Sequence, residues 1–207
     1  MTKHSDRSRR QEPEHKKKLA KQRPEDRSGS PRLSTELLWT YGPGILYRCG
    51  PLLLGRWLVP QVIADALVEA RRPVPASVIG ALLLDTGATN TCISNRAAND
   101  LGLIPTRVQD GFGAGGRHRN PVYLARLEMT IADEKAQQTF GWEQEVQGIP
   151  DLEKHAPGVA MLGEERAVVG LLGRDILRHA RFLYDGPAGS LSFTFEVASL
   201  QHAPSRL

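Results

Sequence analysis

Four consecutive apolar residues lead directly into an acidic turn in this chain. Residues 81–94 read ALLLDTGATNTCIS, so the apolar run ends at Asp85, Thr86 and Gly87. The run predicts a buried strand, and a buried strand that ends in a carboxylate needs an explanation. One explanation is an ordinary turn, because Asp bonds to nearby backbone amides and Gly accepts a positive φ. The other explanation is that the Asp85 carboxylate takes part in a chemical reaction. The remaining segments of the sequence distinguish between these two explanations.

A second segment has the same construction. Residues 167–177 read AVVGLLGRDIL, an apolar strand followed by a turn at Gly173 and then by Arg174 and Asp175. Residues 60–73 have apolar side chains at helical spacing, and residues 95–103 predict a short helix that ends at Gly102.

Strand patterns dominate the rest of residues 51–198. Residues 181–197 predict a β-hairpin because their second arm alternates apolar and polar side chains. Residues 121–131 predict a strand with a slip in alternation near Ala125, in which the candidates for burial are Val122, Leu124, Leu127, Met129 and Ile131. We therefore expect an all-β chain with one or two short helices.

A glycine-rich segment lies between the two apolar segments. Residues 111–116 read GFGAGG, which fits the glycine pattern of dinucleotide-binding proteins. That pattern requires a strand before it and a helix after it, but Pro121 and a strand-like sequence follow here. A glycine-rich hairpin tip is the better interpretation, because glycine lets a backbone bend and approach a ligand closely.

In this order and spacing, the two apolar segments and the intervening hairpin resemble the retropepsin-like aspartic proteases, the single-domain relatives of pepsin. The resemblance covers residues 50–198. It implies an acid-protease-type closed barrel with a flap hairpin. It also implies an aspartic endopeptidase that acts on a peptide or protein substrate.

The resemblance also implies roles for particular residues. Asp85 matches the catalytic aspartate, Thr86 the residue whose hydroxyl ties two active-site loops together, and Gly87 the residue whose backbone accepts the substrate. Residues 110–119 match the flap that closes over a bound peptide. The implied substrate-binding residues are Ala88, Gly113, Ala114, Gly115 and Gly116.

The second segment matches the part of the family that braces the catalytic loop. The bracing residues are Gly173, Arg174 and Asp175. The chain departs from the family at one point, because retroviral members usually carry Asp directly after Asp-Thr-Gly-Ala, whereas this chain has Thr89 and then Asn90. An ion pair between Arg174 and that position is therefore not available, and the partner of Arg174 stays open.

The residue types, considered without the resemblance, also fit amide hydrolysis by carboxylates. Two carboxylates that share one proton can hydrolyse an amide, since one activates water while the other polarises the carbonyl. This chain has a single Asp-Thr-Gly. We therefore expect a homodimer that contributes one Asp85 from each subunit. We expect no metal and no other cofactor.

The basic residues are concentrated in the N-terminal segment. Residues 1–30 hold ten Lys or Arg and five Asp or Glu, which leaves 17 basic and 18 acidic side chains in the remainder. The segment has few apolar residues, so we expect a disordered basic tail at 1–36 and a connecting segment at 37–49. The protease-like domain would span 50–198, and 199–207 would form a C-terminal tail.

Composition also narrows the environment and the partners. No apolar run reaches the length of a membrane span, so we expect no membrane partner. Only Cys49 and Cys92 occur, without a metal-binding spacing, so we expect a reduced, cytoplasmic protein in which Cys92 is a small buried side chain. Nucleic acid is not expected as a partner, because the basic excess is confined to the tail.

Two other classes of function remain open at this point. The first is a retropepsin-like module that binds peptides or proteins without cleaving them, although the intact Asp85, Thr86 and Gly87 argue against it. The second is a nucleic-acid binder that uses the basic tail, for which binding would depend strongly on salt.

Overall fold

The computed structural model describes residues 34–40, 43–113, 116–132, 137–150, 152, 159–161 and 164–196. Most of the expected N-terminal tail and the whole expected C-terminal tail, residues 199–207, lie outside these ranges. A strand begins at Ser34, within the expected tail. The expected connecting segment, 37–49, contains the rest of that strand and a short helix.

Twelve strands and four short helices make up the described part of the chain. The strands are β1 (Ser34–Thr40), β2 (Leu52–Leu58), β3 (Val78–Leu84), β4 (Cys92–Ser94), β5 (Arg107–Gly113), β6 (Gly116–Ala132), β7 (Gln137–Ile149), β8 (Val159–Met161), β9 (Glu164–Arg166), β10 (Val168–Leu172), β11 (Ala180–Asp185) and β12 (Ser190–Glu196). The helices are α1 (Pro43–Cys49), α2 (Gln61–Glu69), α3 (Asn95–Asp100) and α4 (Arg174–Leu177).

Six of these strands form a closed barrel. Their order is β2-β3-β10-β4-β7-β6, and β6 pairs back with β2. Strand β5 pairs with β6 outside this ring, while β1, β12 and β11 form a separate three-stranded sheet. The expectation of a mostly β chain with a closed barrel is confirmed. The described helices number four, and not one or two.

Each of the six barrel strands contributes buried apolar side chains to the main core, and β12 of the three-stranded sheet adds Leu191 and Phe193. In β3 both faces are covered, which is usual for a strand with a parallel neighbour, and this explains why residues 81–84 are continuously apolar. The largest fully buried side chains of the main core include Trp57, Leu82, Ile93, Leu127 and Phe193. The indole of Trp57 also donates a hydrogen bond of 3.1 Å to the carbonyl of Val169 on β10.

One burial expectation in β6 is wrong. Leu124 is 38% exposed, whereas its neighbours Tyr123 and Ala125 are buried. Because a strand alternates with period two, the inward positions are 123, 125, 127 and 129. Val122 is buried as expected, since it lies at the base of the β5–β6 hairpin, and the side chain of Ile131 lies outside the described residues.

Helix α2 occurs where its apolar spacing predicts it, but none of its side chains is fully buried. Val62 and Val68 are largely exposed, and only Ala64 is packed against the main core. Among the helices of the described residues, none has the length and apolar character needed to cross a bilayer.

A buried carboxylate lies at the seam where β2 and β6 close the barrel. Arg56 and Glu128 are directly opposite each other in that antiparallel pairing. The Nε of Arg56 donates to Oε2 of Glu128 at 2.7 Å, and Arg126 approaches Oε1 at 2.6 Å. The Glu128 side chain is only 7% exposed. Its charge is therefore compensated by two guanidinium groups, and that of Arg56 also joins β2 to β6.

We expect Glu128→Gln to destabilise the protein by about 1–3 kcal/mol. The amide keeps the shape of the side chain but loses charge, and its NH₂ meets a guanidinium donor at a buried site. Urea denaturation should show a lower midpoint than for wild type, with Glu69→Gln on exposed α2 as the matched control. Equal stability of the two variants would show that the seam does not depend on this charge.

Candidate functional site

Two parallel strands end side by side at one edge of the barrel. Strands β3 and β10 are parallel, and Leu84 is opposite Leu172. The backbone N–H of Asp85 donates to the carbonyl of Leu172 at 3.0 Å. The residues that follow the two strands therefore begin next to each other, which brings the Asp-Thr-Gly loop together with the segment that starts at Gly173.

The carboxylate of Asp85 is fixed by its own loop. Its Oδ1 accepts hydrogen bonds from the backbone N–H of Gly87 at 2.8 Å and of Ala88 at 3.2 Å. No donor within the described part of the chain reaches Oδ2. The Asp85 side chain is half-buried, while Thr86 and Gly87 are exposed. One oxygen is thus held in place and the other can interact with a molecule from outside.

Arg174 holds the outer part of this loop through neutral acceptors. Its Nη1 donates to the carbonyls of Thr86 at 2.8 Å and Gly87 at 3.1 Å. Its Nη2 donates to the hydroxyl of Thr89 at 2.9 Å, and its backbone N–H donates to the carbonyl of Ala88 at 3.0 Å. The partner of Arg174 is therefore the loop that follows Asp85, and no acid is needed after Ala88.

Asp175 holds the inner part of the loop through Thr91, which is fully buried. The backbone N–H of Thr91 donates to Asp175 Oδ2 at 2.9 Å, and its hydroxyl donates to Oδ1 at 2.8 Å. The same hydroxyl accepts the backbone N–H of Gly173 at 3.1 Å. Thr91 is a positioning residue that the sequence analysis missed, because only the fold shows that it lies beside Asp175.

The absence of a side chain at Gly173 lets the two loops touch through their backbones. A Cβ at this position would lie 2.5 Å from the carbonyl oxygen of Asn90 and 2.8 Å from the backbone nitrogen of Thr91. Backbone atoms in a braced loop cannot move aside as a flexible side chain can. Glycine at 173 is therefore required for this arrangement of the site.

The glycine-rich segment forms the predicted hairpin. Strands β5 and β6 are antiparallel, with Arg107 opposite Val122 at the base and Gly113 opposite Gly116 at the end. Arg117 bonds to Asp110 across the hairpin at 2.5 Å. Ala114 and Gly115, which complete the tip, lie outside the described residues.

A cleft of about 180 Å³ lies at the base of this hairpin. It is bounded by the loop that follows Asp85, by the two hairpin strands and by β7. The lining residues are Asn90, Arg107, Gln109, Val122, Glu145 and Gln147. The sequence analysis did not identify any of them as binding residues, because they come from four distant parts of the chain.

The thiol of Cys92 lies next to the site but is inert. Burial raises the pKa of Cys92 to about 12, and the carboxylates of Asp175 and Asp85 add to this effect. The thiol donates a hydrogen bond of 3.3 Å to the carbonyl of Asn90. Its protonated state supports the interpretation of Cys92 as a small buried side chain.

The structure brings together seven of the residues singled out in the sequence, all in the two loops at the barrel edge: Asp85, Thr86, Gly87, Ala88, Gly173, Arg174 and Asp175. Gly113 and Gly116 lie in the hairpin, and no described hydrogen bond joins them to these loops. No protein-family model matches the chain, and no curated protein matches it.

We expect Gly173→Ala to disrupt the site and to lower stability by about 2 kcal/mol or more, because the methyl group overlaps the backbone of Asn90 and Thr91. The matched control is Gly44→Ala in helix α1, where a Cβ would meet nothing within 4 Å. Alanine is the better helix former, so the control should match or exceed wild-type stability. Thermal unfolding of both variants makes the comparison, and an unaltered melting temperature for Gly173→Ala contradicts the close approach.

The raised pKa of Cys92 predicts a loss of stability at alkaline pH. Burial raises the pKa of the native thiol to about 12, whereas the pKa of an unfolded thiol is about 8.5. The protonated Cys92 thiol makes its full contribution to the free energy of unfolding below about pH 8.5. As the pH rises toward 12 this contribution is lost, by about 1.4 kcal/mol per pH unit. Urea denaturation between pH 9 and pH 11 should show this extra slope in wild type and not in Cys92→Ala. Parallel slopes would show that the native thiol ionises normally.

Proposed function

We propose that this protein is an aspartic endopeptidase of the retropepsin type. The observation that carries the proposal is the fixed carboxylate of Asp85, which lies at the end of a buried strand with one oxygen held by backbone amides. The two bracing segments, at Arg174 and Asp175, give the loop the rigidity that a positioned catalytic group requires.

The proposed reaction needs no covalent intermediate. Two carboxylates share one proton, and the ionised one accepts a proton from a water molecule as the water oxygen attacks the peptide carbonyl carbon. The protonated carboxyl donates its proton to the carbonyl oxygen. When the tetrahedral intermediate breaks down, the C–N bond is cleaved, the nitrogen takes up the proton of the protonated carboxyl, and the other carboxylate accepts the proton of one hydroxyl of the intermediate as the new carbonyl forms. The products are a carboxylic acid and an amine, and the pair again holds one proton.

A homodimer supplies the second carboxylate in this proposal. The other aspartate of the two loops, Asp175, is engaged by Thr91, so it is not available as the partner of Asp85. A two-fold axis between two copies would place one Asp85 opposite the other. Thr86 is exposed beside it, where its hydroxyl can contact the partner loop.

The β5–β6 hairpin is the proposed flap. It is a two-stranded ribbon beyond the barrel ring, and glycines at 111, 113 and 116 leave its backbone accessible. Gly113, Ala114, Gly115 and Gly116 are proposed to bind substrate through backbone groups, together with Ala88 beside the carboxylate.

The two free cysteines agree with a reducing, cytoplasmic location, which remains part of the proposal.

We expect Asp85→Asn to lower peptidase activity by a factor of at least 10²–10⁴ while the protein stays folded, because the amide cannot accept or share the catalytic proton. Cleavage of a denatured protein mixture by the full chain provides the assay, and circular dichroism checks the fold. The matched control is Asp100→Asn on the exposed face of α3, which should keep wild-type activity. Substantial cleavage by Asp85→Asn would refute the assignment.

The same variant tests the dimer by mixing. If each site needs two Asp85 residues, an equal mixture of wild type and Asp85→Asn should retain about one quarter of the activity of wild type at the same total concentration, once subunits have exchanged. Independent monomers would retain about one half. Peptide binding without any cleavage by wild type would favour the idle binding module instead.

A further inference from the structure

Three side-chain carboxamides converge on the cleft at the base of the hairpin. Asn90 belongs to the loop that begins with Asp85, Gln109 belongs to β5 and Gln147 to β7. Each carboxamide offers an N–H donor and a carbonyl acceptor. Among the lining residues that the structure describes, Val122 alone is apolar, so the cleft is chemically a polar, hydrogen-bonding site.

These carboxamides have unused hydrogen-bonding capacity. Within the described part of the chain, the side chains of Asn90 and Gln147 form no hydrogen bond, and the NH₂ of Gln109 donates none. The carbonyl of Gln109 accepts one bond, from Arg107 Nη2 at 3.2 Å. Asn90, Gln109 and Gln147 are all half-buried. An apolar group that filled the cleft would remove water from them without replacing its hydrogen bonds, which is unfavourable.

The charges at the cleft compensate each other. Arg107 forms an ion pair with Glu145, and both side chains are about half exposed. The pair leaves no net charge at the opening, so neither an acidic nor a basic group gains a large advantage there. The preferred ligand group is therefore neutral and able both to donate and to accept hydrogen bonds.

We propose that this cleft is a subsite for a substrate side chain that carries a carboxamide, namely Gln or Asn. The inference rests on the proposed peptidase function, because the cleft adjoins the loop that carries Asp85. A carboxamide matches the donors and acceptors of Asn90, Gln109 and Gln147, and a cleft of about 180 Å³ has room for one such group. Leu, of similar size, would leave these amides unpaired.

A peptide library tests the preference directly. Peptides from a digested proteome are incubated with the full chain, and the newly formed termini are identified by mass spectrometry, with Asp85→Asn as the background. We expect Gln and Asn to be enriched at one position near the cleaved bond. For matched synthetic substrates, kcat/KM should be about tenfold higher with Gln than with Leu at that position. Cleavage without such a preference would overturn the subsite and leave the peptidase proposal intact.

Gln147→Leu should reduce or reverse that ratio, because it replaces one carboxamide by an apolar group of similar size. The matched control is Val108→Leu, an exposed residue whose side chain lies on the opposite face of β5 from Gln109. The control should keep the wild-type ratio. An unchanged ratio in Gln147→Leu would also overturn the proposal.

A binding measurement separates the subsite from the peptidase activity. N-acetyl-glutamine methylamide and N-acetyl-leucine methylamide are titrated into ¹⁵N-labelled protein, and the side-chain NH₂ resonances of Asn90, Gln109 and Gln147 are followed by NMR. We expect saturable shifts with the glutamine compound and much smaller ones with the leucine compound. If the protein cleaves nothing but shows this difference, the subsite stands and the peptidase proposal fails. Equal responses to both compounds would overturn the subsite.

Discussion

The parallel pairing of β3 with β10 is the constraint on which the site depends. It aligns Leu84 with Leu172, so the two chains leave the barrel at the same edge. The hydrogen bond from Asp85 N–H to Leu172 then joins the start of one loop to the end of the other strand. Arg174 and Asp175 can reach the Asp85 loop only because this pairing brings their segment beside it.

The loops are joined mostly by bonds between a charged side chain and neutral groups. Arg174 binds two carbonyls and a hydroxyl, and Asp175 binds an amide and the hydroxyl of Thr91. Hydrogen bonds to charged groups are stronger than neutral ones and fix direction as well as distance. The backbone of the loop therefore has a defined shape without an acidic residue at position 89, where the chain has Thr89.

The sequence predicts the local elements well, because apolar runs and alternation are local signals. It predicts β3, β10, the helix near Asn95 and both hairpins. It does not predict β1, whose pairing with β12 joins residues far apart in the chain. It assigns Leu124 to the core because the apolar pattern slips near Ala125, and the pattern alone does not show that the inward face already includes Tyr123. Thr91 and the lining of the cleft were missed for a similar reason, since only the closed barrel brings Gln109 and Gln147 together.

The position of β5 outside the ring has a mechanical consequence. The ladder between β6 and β7 begins at Val122, so residues 116–121 of β6 share hydrogen bonds with β5 alone. Thr106 is tied to the carbonyl of Val122 by both its backbone N–H and its hydroxyl, which anchors the base. The β5–β6 hairpin is therefore anchored to the barrel at its base, near Val122. No barrel pairing involves residues 116–121, so a displacement of this part of the hairpin breaks no strand pairing of the barrel and leaves the hydrogen bonds that hold the Asp85 carboxylate unchanged.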